Sequence, residues 1–359
     1  MELFKRLPLA VLAASLTVGT AYAGVVYESV NNFGDGDELG AMHYQTADTV
    51  KKAAGLVKEG KLYSLGVWVN RFTPLWPGHP PFEWVNFRTP HGVLKVNKDQ
   101  SWLFPAEEKN KVNFAWTSGL MLGTEHTGTH VDAFAHIMAG PKNQIYGGYE
   151  DDKAHGDWGW LHGGIETMPP IFTRGIMIDI AAAKGKKAGT WNKPECNLGY
   201  LAGCEFTAGG QLDDGGIITV KDIEDFLKAH NLELRKGDVV VFRTGRIGEW
   251  YEDAKRPDGK ARYGRPEAGP DIDAARYLVK KGVIAVGADN VAVENQPSTV
   301  PGDPHPVHIY LLVDNGVHIL ENLWLEDLSR DGVYEFLFAG GTTKIQGATG
   351  SMWGPMAVH

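Results

Sequence analysis

The sequence feature that most constrains this chain is a cluster of possible metal ligands at residues 126–136. It reads His126-Thr-Gly-Thr-His130-Val-Asp132-Ala-Phe-Ala-His136 and holds three imidazoles and one carboxylate. Histidine nitrogen and carboxylate oxygen are zinc ligands, and they also suit manganese when other oxygens complete the shell. Four such groups held close together repel one another when charged unless something binds them. The alternative, separate structural histidines bonded to backbone carbonyls, fits this spacing less well.

The same spacing limits the local conformation. On a single helix His126 and His130 would share a face, but His130 and Asp132 would diverge by about 200°. Gly128 and the β-branched residues at positions 127, 129 and 131 also oppose a regular helix. We therefore predict a turn that leads into extended chain, with His130 and Asp132 on one face and a short helix near His136.

The length and the order of elements indicate the fold class. The chain has 359 residues, enough for one large domain or two ordinary ones. Candidate strands lie at 62–69, 174–180, 237–243 and 283–287, and candidate helices lie at 46–58, from Thr219 and from Pro270. Alternation of strand and helix is typical of α/β architecture. Because no linker or internal repeat divides the chain, we expect one elaborated α/β domain.

The N-terminus has the features of a secretory signal peptide. Lys5 and Arg6 precede an apolar run, and small residues before Gly24 offer a cleavage site after Ala23. A transmembrane anchor is the alternative, but the apolar run is too short to span a bilayer. We predict that residues 1–23 are removed and that the protein is periplasmic or secreted. The net charge of −9 argues against nucleic acid or an anionic membrane as a partner.

The two cysteines are Cys196 and Cys204, eight residues apart. In an oxidising compartment a disulfide between them is expected, worth roughly 2–3 kcal/mol by the chain-entropy model. Two buried free thiols are the alternative. Metal binding by this pair is disfavoured because no histidine or further cysteine lies at finger-like spacing.

Other candidate site residues lie outside the cluster. His308 lies in a predicted helix from Pro306 to Asp314, and Glu321 lies in the predicted strand that follows it. The residues alone leave their ligand role open. Asp289 lies at a strand end, where metal or substrate sites form. A loop at 73–82, stiffened by proline and glycine, could form a pocket wall or a packed surface loop.

Four motifs in order resemble the cyclase family, which includes bacterial kynurenine formamidase and isatin hydrolase. They are the 126–136 cluster, Pro-Leu-Trp-Pro-Gly at 74–78, the 308–321 segment and the closing Lys-Ile-Gln-Gly-Ala-Thr-Gly-Ser at 344–351. The resemblance implies a single domain at 62–359 that resembles the family's swivelling β/β/α fold. Residues 24–61 would then be an N-terminal extension.

The resemblance also implies a ligand set. His126, His130 and Asp132 would hold a first metal, and Asp132 and Glu321 would bridge to a second metal where one is present. His308 would be the terminal ligand of that second metal. The family uses two zinc ions or one manganese ion, so the resemblance implies one or two divalent ions, Zn²⁺ or Mn²⁺.

Two further roles, two residue departures and one difference in spacing come with the resemblance. His136 would be the proton donor and acceptor, and Trp76 would contact the substrate. The family's usual proline is replaced by Phe134, and its usual acid after Trp-Pro-Gly is replaced by His79. The interval from His308 to Glu321 is one residue longer than in the formamidases, which makes His305 an alternative ligand.

These expectations define a function. A metal-activated water, with His136 as general acid and base, would hydrolyse a cyclic amide, a lactone or an aryl formamide. Kynurenine formamidase itself is an alternative, although export counts against tryptophan catabolism. A non-catalytic, metal-dependent periplasmic protein that binds an aromatic ligand is the other alternative, and it would not need His136. The expected partner is a small cyclic or aromatic carbonyl compound, and family members assemble as homodimers or larger oligomers.

Overall fold

The structure is a computed structural model that describes residues 29–31, 33–89, 115–198, 202–253, 263 and 266–359. The predicted signal peptide at 1–23 lies outside the described residues, so its removal stays a prediction. Within the part of the chain that is described, no helix is both long and apolar enough to cross a bilayer.

The strands of the described chain are short except at the centre of the main sheet. In chain order they are β1 Leu62–Ser64, β2 Glu83–Arg88, β3 Ser118–Leu122, β4 His130–Asp132, β5 His155–Gly156, β6 Gly159–Trp160, β7 Ile171–Asp179, β8 Thr190–Trp191, β9 Phe206–Thr207, β10 Ile217–Ile218, β11 Val239–Arg243, β12 Gly269–Pro270, β13 Ala285–Ala288, β14 His318–Glu321, β15 Glu335–Gly340, β16 Gly350–Met352 and β17 Met356–Val358.

The helices are short as well. The α-helices are α1 Ala47–Ala54, α2 Asp151–Ala154, α3 Ile180–Ala183, α4 Val220–Ala229, α5 Trp250–Asp253, α6 Ile272–Lys281, α7 Pro306–His308 and α8 Glu326–Asp331, and a π-helix at Ile309–Asp314 continues α7. Turns of 3-10 helix lie at Gly40–Tyr44, Phe134–His136, Tyr146–Gly148, Ile165–Thr167, Pro194–Leu198 and Arg246–Glu249.

One mixed sheet of nine strands organises the domain. Its order is β1-β17-β15-β7-β11-β13-β14-β4-β16. The central strands β7, β11, β13 and β14 run parallel, while β15 and β4 pair antiparallel on either side. The apolar run of β11 is buried along its whole length, as expected for a strand covered on both faces. The α/β class and the single domain are therefore confirmed, with a mixed sheet.

Helices α4 and α6 follow the sequence pattern. Thr219 caps α4 in a reciprocal pair with Asp222, and the predicted stripes of both helices are buried, namely Ile223, Phe226 and Leu227 in α4 and Ala274, Ala275, Leu278 and Val279 in α6. The start of α6 was predicted at Pro270 but lies at Ile272, because the side chain of Asp271 accepts the Ala274 amide and caps the helix there.

Two predicted elements are shorter than expected. The helix predicted at 46–58 ends at Ala54. The strand predicted at 62–69 ends at Ser64, because the chain leaves the β17 ladder and the Val67 amide donates to the Thr129 hydroxyl at 2.9 Å. This departure ties the strand to the 126–136 cluster.

The residues before β1 pack onto the same sheet. Helix α1 lies against β7 and β15, and the Glu38 carboxylate accepts the Gly163 amide at 3.1 Å. The division between an extension at 24–61 and a domain at 62–359 stays a prediction. The disulfide between Cys196 and Cys204 is confirmed, with a Cα–Cα distance of 5.9 Å.

Candidate metal centre

The pairing of β4 with β14 assembles the core of the candidate site. The register places Glu321 opposite His130, and His130 and Asp132 share one face of β4 because side chains alternate along a strand. His130 Nε2 lies 3.2 Å from Glu321 Oε2 and 3.5 Å from Asp132 Oδ1. The turn, extended strand and short helix predicted for residues 126–136 are all present.

The turn before β4 brings in the first histidine. Gly128 has φ +65°, and a Cβ there would lie 2.5 Å from Val69 Cγ1, so both its conformation and its surroundings favour glycine. His126 Nδ1 reaches to 2.9 Å from Asp132 Oδ1. The ring of His136 lies 4.1 Å from that of His126, measured between centroids.

Two sets of possible ligands share Asp132. One is His126, Asp132 and His136, and the other is His130, Asp132 and Glu321. Within each set the candidate ligand atoms lie within 4.8 Å of one another. Asp132 thus belongs to both sets, but the first-metal set that the resemblance implies, His126, His130 and Asp132, is neither of them. His136, expected to move protons, lies in the set of His126.

Hydrogen bonds on the far side of each imidazole select the nitrogen that faces the carboxylates. His130 Nδ1 donates to the Gly128 carbonyl at 2.8 Å, which in the neutral ring leaves the Nε2 lone pair facing Asp132 and Glu321. The Thr349 hydroxyl donates to the Glu125 carboxylate at 2.8 Å, so it accepts from His126 Nε2 at 2.9 Å. His126 Nδ1 therefore carries the lone pair that faces Asp132. Such outer partners are typical of metal-bound histidines.

The cluster contains buried polar atoms whose hydrogen-bonding capacity is not met. Both carboxylate oxygens of Asp132 and Nδ1 of His126 are buried and lack a hydrogen bond, although His126 Nδ1 and Asp132 Oδ1 are only 2.9 Å apart. Their contact lacks hydrogen-bond alignment because two lone-pair atoms face each other. Unmet buried polar groups are costly. A divalent cation would satisfy them, so this donor set fits a metal.

The electrostatics of the metal-free cluster are strongly perturbed. Burial lowers the pKa of His130, but the hydrogen bond and charge of Glu321 outweigh burial and raise that pKa to about 9. Burial lowers the pKa of His136 to about 4. Burial raises the pKa of Asp132, but the neighbouring imidazoles of His136, His126 and His130 lower it overall by charge. His136 is therefore neutral at neutral pH.

The structure separates the two candidates for the distal histidine. His308 Nε2 lies 3.3 Å from Glu321 Oε1, whereas His305 lies at the rim of the cavity with its ring 5.8 Å from the Trp76 ring. Burial lowers the pKa of His308, but hydrogen bonds to Glu294 and Glu321 raise it well above its ordinary value. The geometry favours His308 for the ligand position.

One buried acid of this region was missed from the sequence. Glu294 Oε1 lies 2.5 Å from His308 Nδ1. The only available signal was an acid in the turn after a parallel strand, and that signal pointed to Asp289. Asp289 instead accepts the amides of Thr244 and Gly245, at 2.8 and 2.7 Å, and it belongs to none of the ligand sets found among the described residues.

A cavity of about 190 Å³ opens onto the cluster. Its lining combines the imidazoles and Glu321 with apolar and aromatic walls, namely Trp76, His79, His126, His130, His136, Ile137, Val291, Ala292, His305, His308 and Glu321. The loop at 73–82 therefore supplies a pocket wall through Trp76. His79, one of the two departures from the family pattern, also faces this cavity, whereas Phe134 is buried and stacks on His318.

A comparison with known protein families gives a match over more than half of the chain. The Cyclase family model, described as "Putative cyclase", matches residues 63–295. The chain belongs to the cyclase family. A novel cyclase of known crystal structure aligns with a TM-score of 0.71 and 28% sequence identity, covering 92% of this family member and 97% of the other chain. No curated protein matches the chain significantly.

Two isatin hydrolases share the fold of this cyclase-family chain. Isatin hydrolase A from Ralstonia solanacearum aligns with a TM-score of 0.53 and 17% identity, covering 87% of this chain and 95% of its own. An isatin hydrolase bound to the product analogue thioisatinate gives a TM-score of 0.53 and 20% identity, covering 87% and 98%. At these identities the likeness concerns the fold alone.

Proposed function

We propose that this cyclase-family protein is a metal-dependent hydrolase that opens a cyclic amide or lactone or cleaves an aryl formamide. The observation that carries the proposal is a buried set of ligand atoms with unmet bonding capacity at the base of a cavity with apolar and aromatic walls. The shared fold with isatin hydrolases supports a cyclic amide as the first substrate class to test.

The chain's own residues divide into two ligand groups. His126, His130 and Asp132 would hold a first divalent cation, Zn²⁺ or Mn²⁺, and Asp132, Glu321 and His308 would hold a second one where it is present. When bound, such a cation supplies Lewis acidity, which polarises a carbonyl and makes water a stronger nucleophile at neutral pH. The hydrogen bonds to Gly128 and Thr349 keep two of the imidazoles oriented for binding.

His136 is proposed as the group that moves protons. In the described part of the chain, no hydrogen bond holds either of its ring nitrogens, whereas His126, His130 and His308 each have one nitrogen held by an acceptor. Its ring lines the cavity. As a neutral imidazole it can take a proton from the attacking water and return it to the leaving nitrogen or oxygen.

The cavity walls suggest how a substrate is held. Trp76, Val291 and Ala292 present aromatic and apolar surface suited to a flat ring, and the imidazoles and Glu321 line the same cavity. We further propose that the protein acts after export, in the periplasm or outside the cell, and that it assembles as a homodimer or a larger oligomer.

Metal analysis combined with a hydrolysis screen tests the function. Protein expressed in metal-replete medium is analysed for bound ions, stripped with a chelator, reconstituted with Zn²⁺ or Mn²⁺, and assayed on isatins, lactones and aryl formamides. We expect bound metal and metal-dependent ring opening of at least one cyclic class. Absence of any bound divalent ion, both as purified and after reconstitution, would refute the proposal. Metal-dependent binding of an aromatic ligand without turnover would indicate a binding protein instead.

A further inference from the structure

The turn that follows β13 brings a buried carboxylate against the distal histidine. Glu294 is 1% exposed, and its Oε1 lies 2.5 Å from His308 Nδ1 and 3.2 Å from His305 Nδ1. Its other oxygen accepts the Val307 amide at 3.0 Å. The carboxylate thus binds both the ring of His308 and the backbone of the helix that carries it.

The chemistry of this contact selects one nitrogen of His308. An ionised carboxylate only accepts hydrogen bonds, so the nitrogen that faces Glu294, Nδ1, carries the proton. In the neutral ring the lone pair is then on Nε2, which lies 3.3 Å from Glu321 Oε1. A carboxylate that holds the far nitrogen of a metal-binding histidine orients the ring and raises its basicity as a ligand.

The backbone before Glu294 is held in an unusual form. Val293 has φ +56°, a strained region that β-branched residues rarely adopt. The Asn290 side chain accepts the Val293 amide at 2.8 Å, and Glu267 accepts the amides of Val291 and Ala292 at 2.9 and 3.2 Å. The surroundings therefore fix a turn that directs Glu294 inward.

We propose that Glu294 is a positioning residue of the metal centre, which fixes the orientation and the Nδ1–H tautomer of His308. This inference rests on the proposed function, because it takes His308 as a ligand. The competing possibility is that Glu294 binds metal directly, since Glu294, His305 and His308 also have candidate ligand atoms within 4.8 Å of one another. The hydrogen bonds to the Val307 amide and to His308 favour positioning, because they already occupy both oxygens.

Two readouts that do not depend on turnover test the role. The full chain and its Glu294→Gln and Glu294→Leu variants are stripped of metal and titrated with Zn²⁺ against a chromophoric chelator. We expect Glu294→Leu to lower Zn²⁺ affinity by about 10–100-fold, and Glu294→Gln to lower it less because one acceptor oxygen is kept. Ring ¹⁵N NMR of the metal-free proteins, recorded at a pH where the His308 ring is neutral, should show His308 leaving the Nδ1–H form in Glu294→Leu.

Glu267→Gln is the matched control. Glu267 is also 1% exposed and accepts amides of the same turn, but it contacts no imidazole among the described residues. Its glutamine keeps an acceptor oxygen for those amides, so the turn is retained and the variant should bind Zn²⁺ within about twofold of the wild type.

Three outcomes would overturn either the inference or the function beneath it. Wild-type Zn²⁺ affinity together with a wild-type His308 tautomer in both Glu294 variants would exclude the positioning role. Loss of one bound ion per chain with the His308 tautomer unchanged would make Glu294 a ligand and also exclude positioning. A wild-type chain that binds no Zn²⁺ would count against the proposed function, while the NMR readout still decides the Glu294 contact. If Glu294→Leu does not fold, Glu294→Gln carries the test.

Discussion

Two buried ionic clusters lie along the same edge of the main sheet, and they differ in one respect. At the ends of β7 and β11, Arg243 Nη1 binds Asp179 Oδ1 at 3.0 Å and Arg243 Nε binds Glu326 Oε1 at 2.7 Å. All three side chains are fully buried. Their remaining carboxylate oxygens accept the Ser329 hydroxyl and the Gly189 amide, so every carboxylate oxygen of this cluster has a donor.

The cluster at the ends of β14 and β4 is also buried, apart from the partly buried His136, but it is not satisfied. Both oxygens of Asp132 and Nδ1 of His126 lack hydrogen bonds. Burial and charge density are therefore shared by a structural cluster and a candidate catalytic one. What distinguishes the candidate site is a set of buried polar atoms that lack hydrogen bonds and lie together beside a cavity. A metal ion can bind these atoms, whereas the folded chain alone leaves them without partners.

The largest expected effect is on turnover. It is expected at His136, the imidazole of the unsatisfied cluster whose ring nitrogens make no hydrogen bond within the described residues. His136→Ala should lower kcat by about 10²–10⁴-fold, because it removes the proposed proton carrier, and it should leave metal content near that of the wild type. The measurement is steady-state kinetics on whichever substrate the screen identifies, with metal quantified in the same samples. Unchanged kcat would remove His136 from proton transfer, and loss of metal in parallel with activity would make it a ligand.

The next effect is on stability, in the satisfied cluster. Arg243→Leu should lower the free energy of unfolding by about 3–5 kcal/mol, because it leaves Asp179 and Glu326 buried without their cation. The measurement is urea unfolding of metal-free protein. Arg276→Leu is the control, since Arg276 pairs with Asp273 on the surface and should cost less than about 1 kcal/mol. If Arg243→Leu lowers the free energy of unfolding by no more than Arg276→Leu does, the ion pairs of Arg243 do not stabilise the fold as the comparison of the two clusters requires.

Sequence reasoning reached the parts of the unsatisfied cluster that are local. The spacing of His126, His130, Asp132 and His136 predicts a turn, a strand and a short helix because period-two alternation and the glycine at 128 act over a few residues. The family resemblance then pointed to His308 and Glu321, and the pairing of β4 with β14 brings Glu321 to His130. That antiparallel pairing was not predicted, since it joins segments nearly two hundred residues apart.

The residues that hold the ligands could not be found in the same way. Thr349 reaches His126 across 223 positions of sequence, and Glu294 reaches His308 across 14 positions from a turn in which Val293 has a positive φ. Neither contact leaves a spacing signal. The sequence offered Asp289 as a minor candidate near this strand end, and in the structure Asp289 closes the turn at Thr244 instead.

A smaller effect, on Zn²⁺ affinity, is expected at Thr349, whose side chain holds His126 of the unsatisfied cluster. Thr349 is satisfied on one side by Glu125 and orients the unsatisfied His126 on the other. Thr349→Val keeps the shape and removes the hydroxyl, so it should weaken Zn²⁺ affinity by about 10–100-fold, as other outer partners of metal ligands do. Chelator competition measures it. Thr349→Ser retains the hydroxyl and should bind like the wild type; equal losses in both variants would point to packing rather than to the hydrogen bond.

The smallest effect concerns a carboxylate that belongs to neither cluster. Asp314 Oδ2 is buried without a hydrogen bond, yet Asp314 is in none of the ligand sets of the described residues. Burial, with a smaller contribution from the charge of Asp303, raises the pKa of Asp314 to about 7 from an ordinary 3.8. A buried carboxylate oxygen without a hydrogen bond therefore does not identify a metal site unless other possible ligands lie close to it.

The sign of the pH effect follows from the raised pKa of Asp314. Between about pH 4 and pH 7 the unfolded chain releases this proton while the folded chain retains it, so the Asp314 contribution to stability falls as pH rises across that window. Asp314→Asn should match the wild type near pH 4 and exceed it in stability above pH 7, as measured by urea midpoints of metal-free protein. Asp152→Asn, at an exposed carboxylate, is the control and should show no such crossover. If the urea midpoints of the wild type and Asp314→Asn differ by a constant amount from pH 4 to pH 8, Asp314 is ionised throughout. A buried oxygen without a hydrogen bond would then be tolerated here without either a metal or a proton.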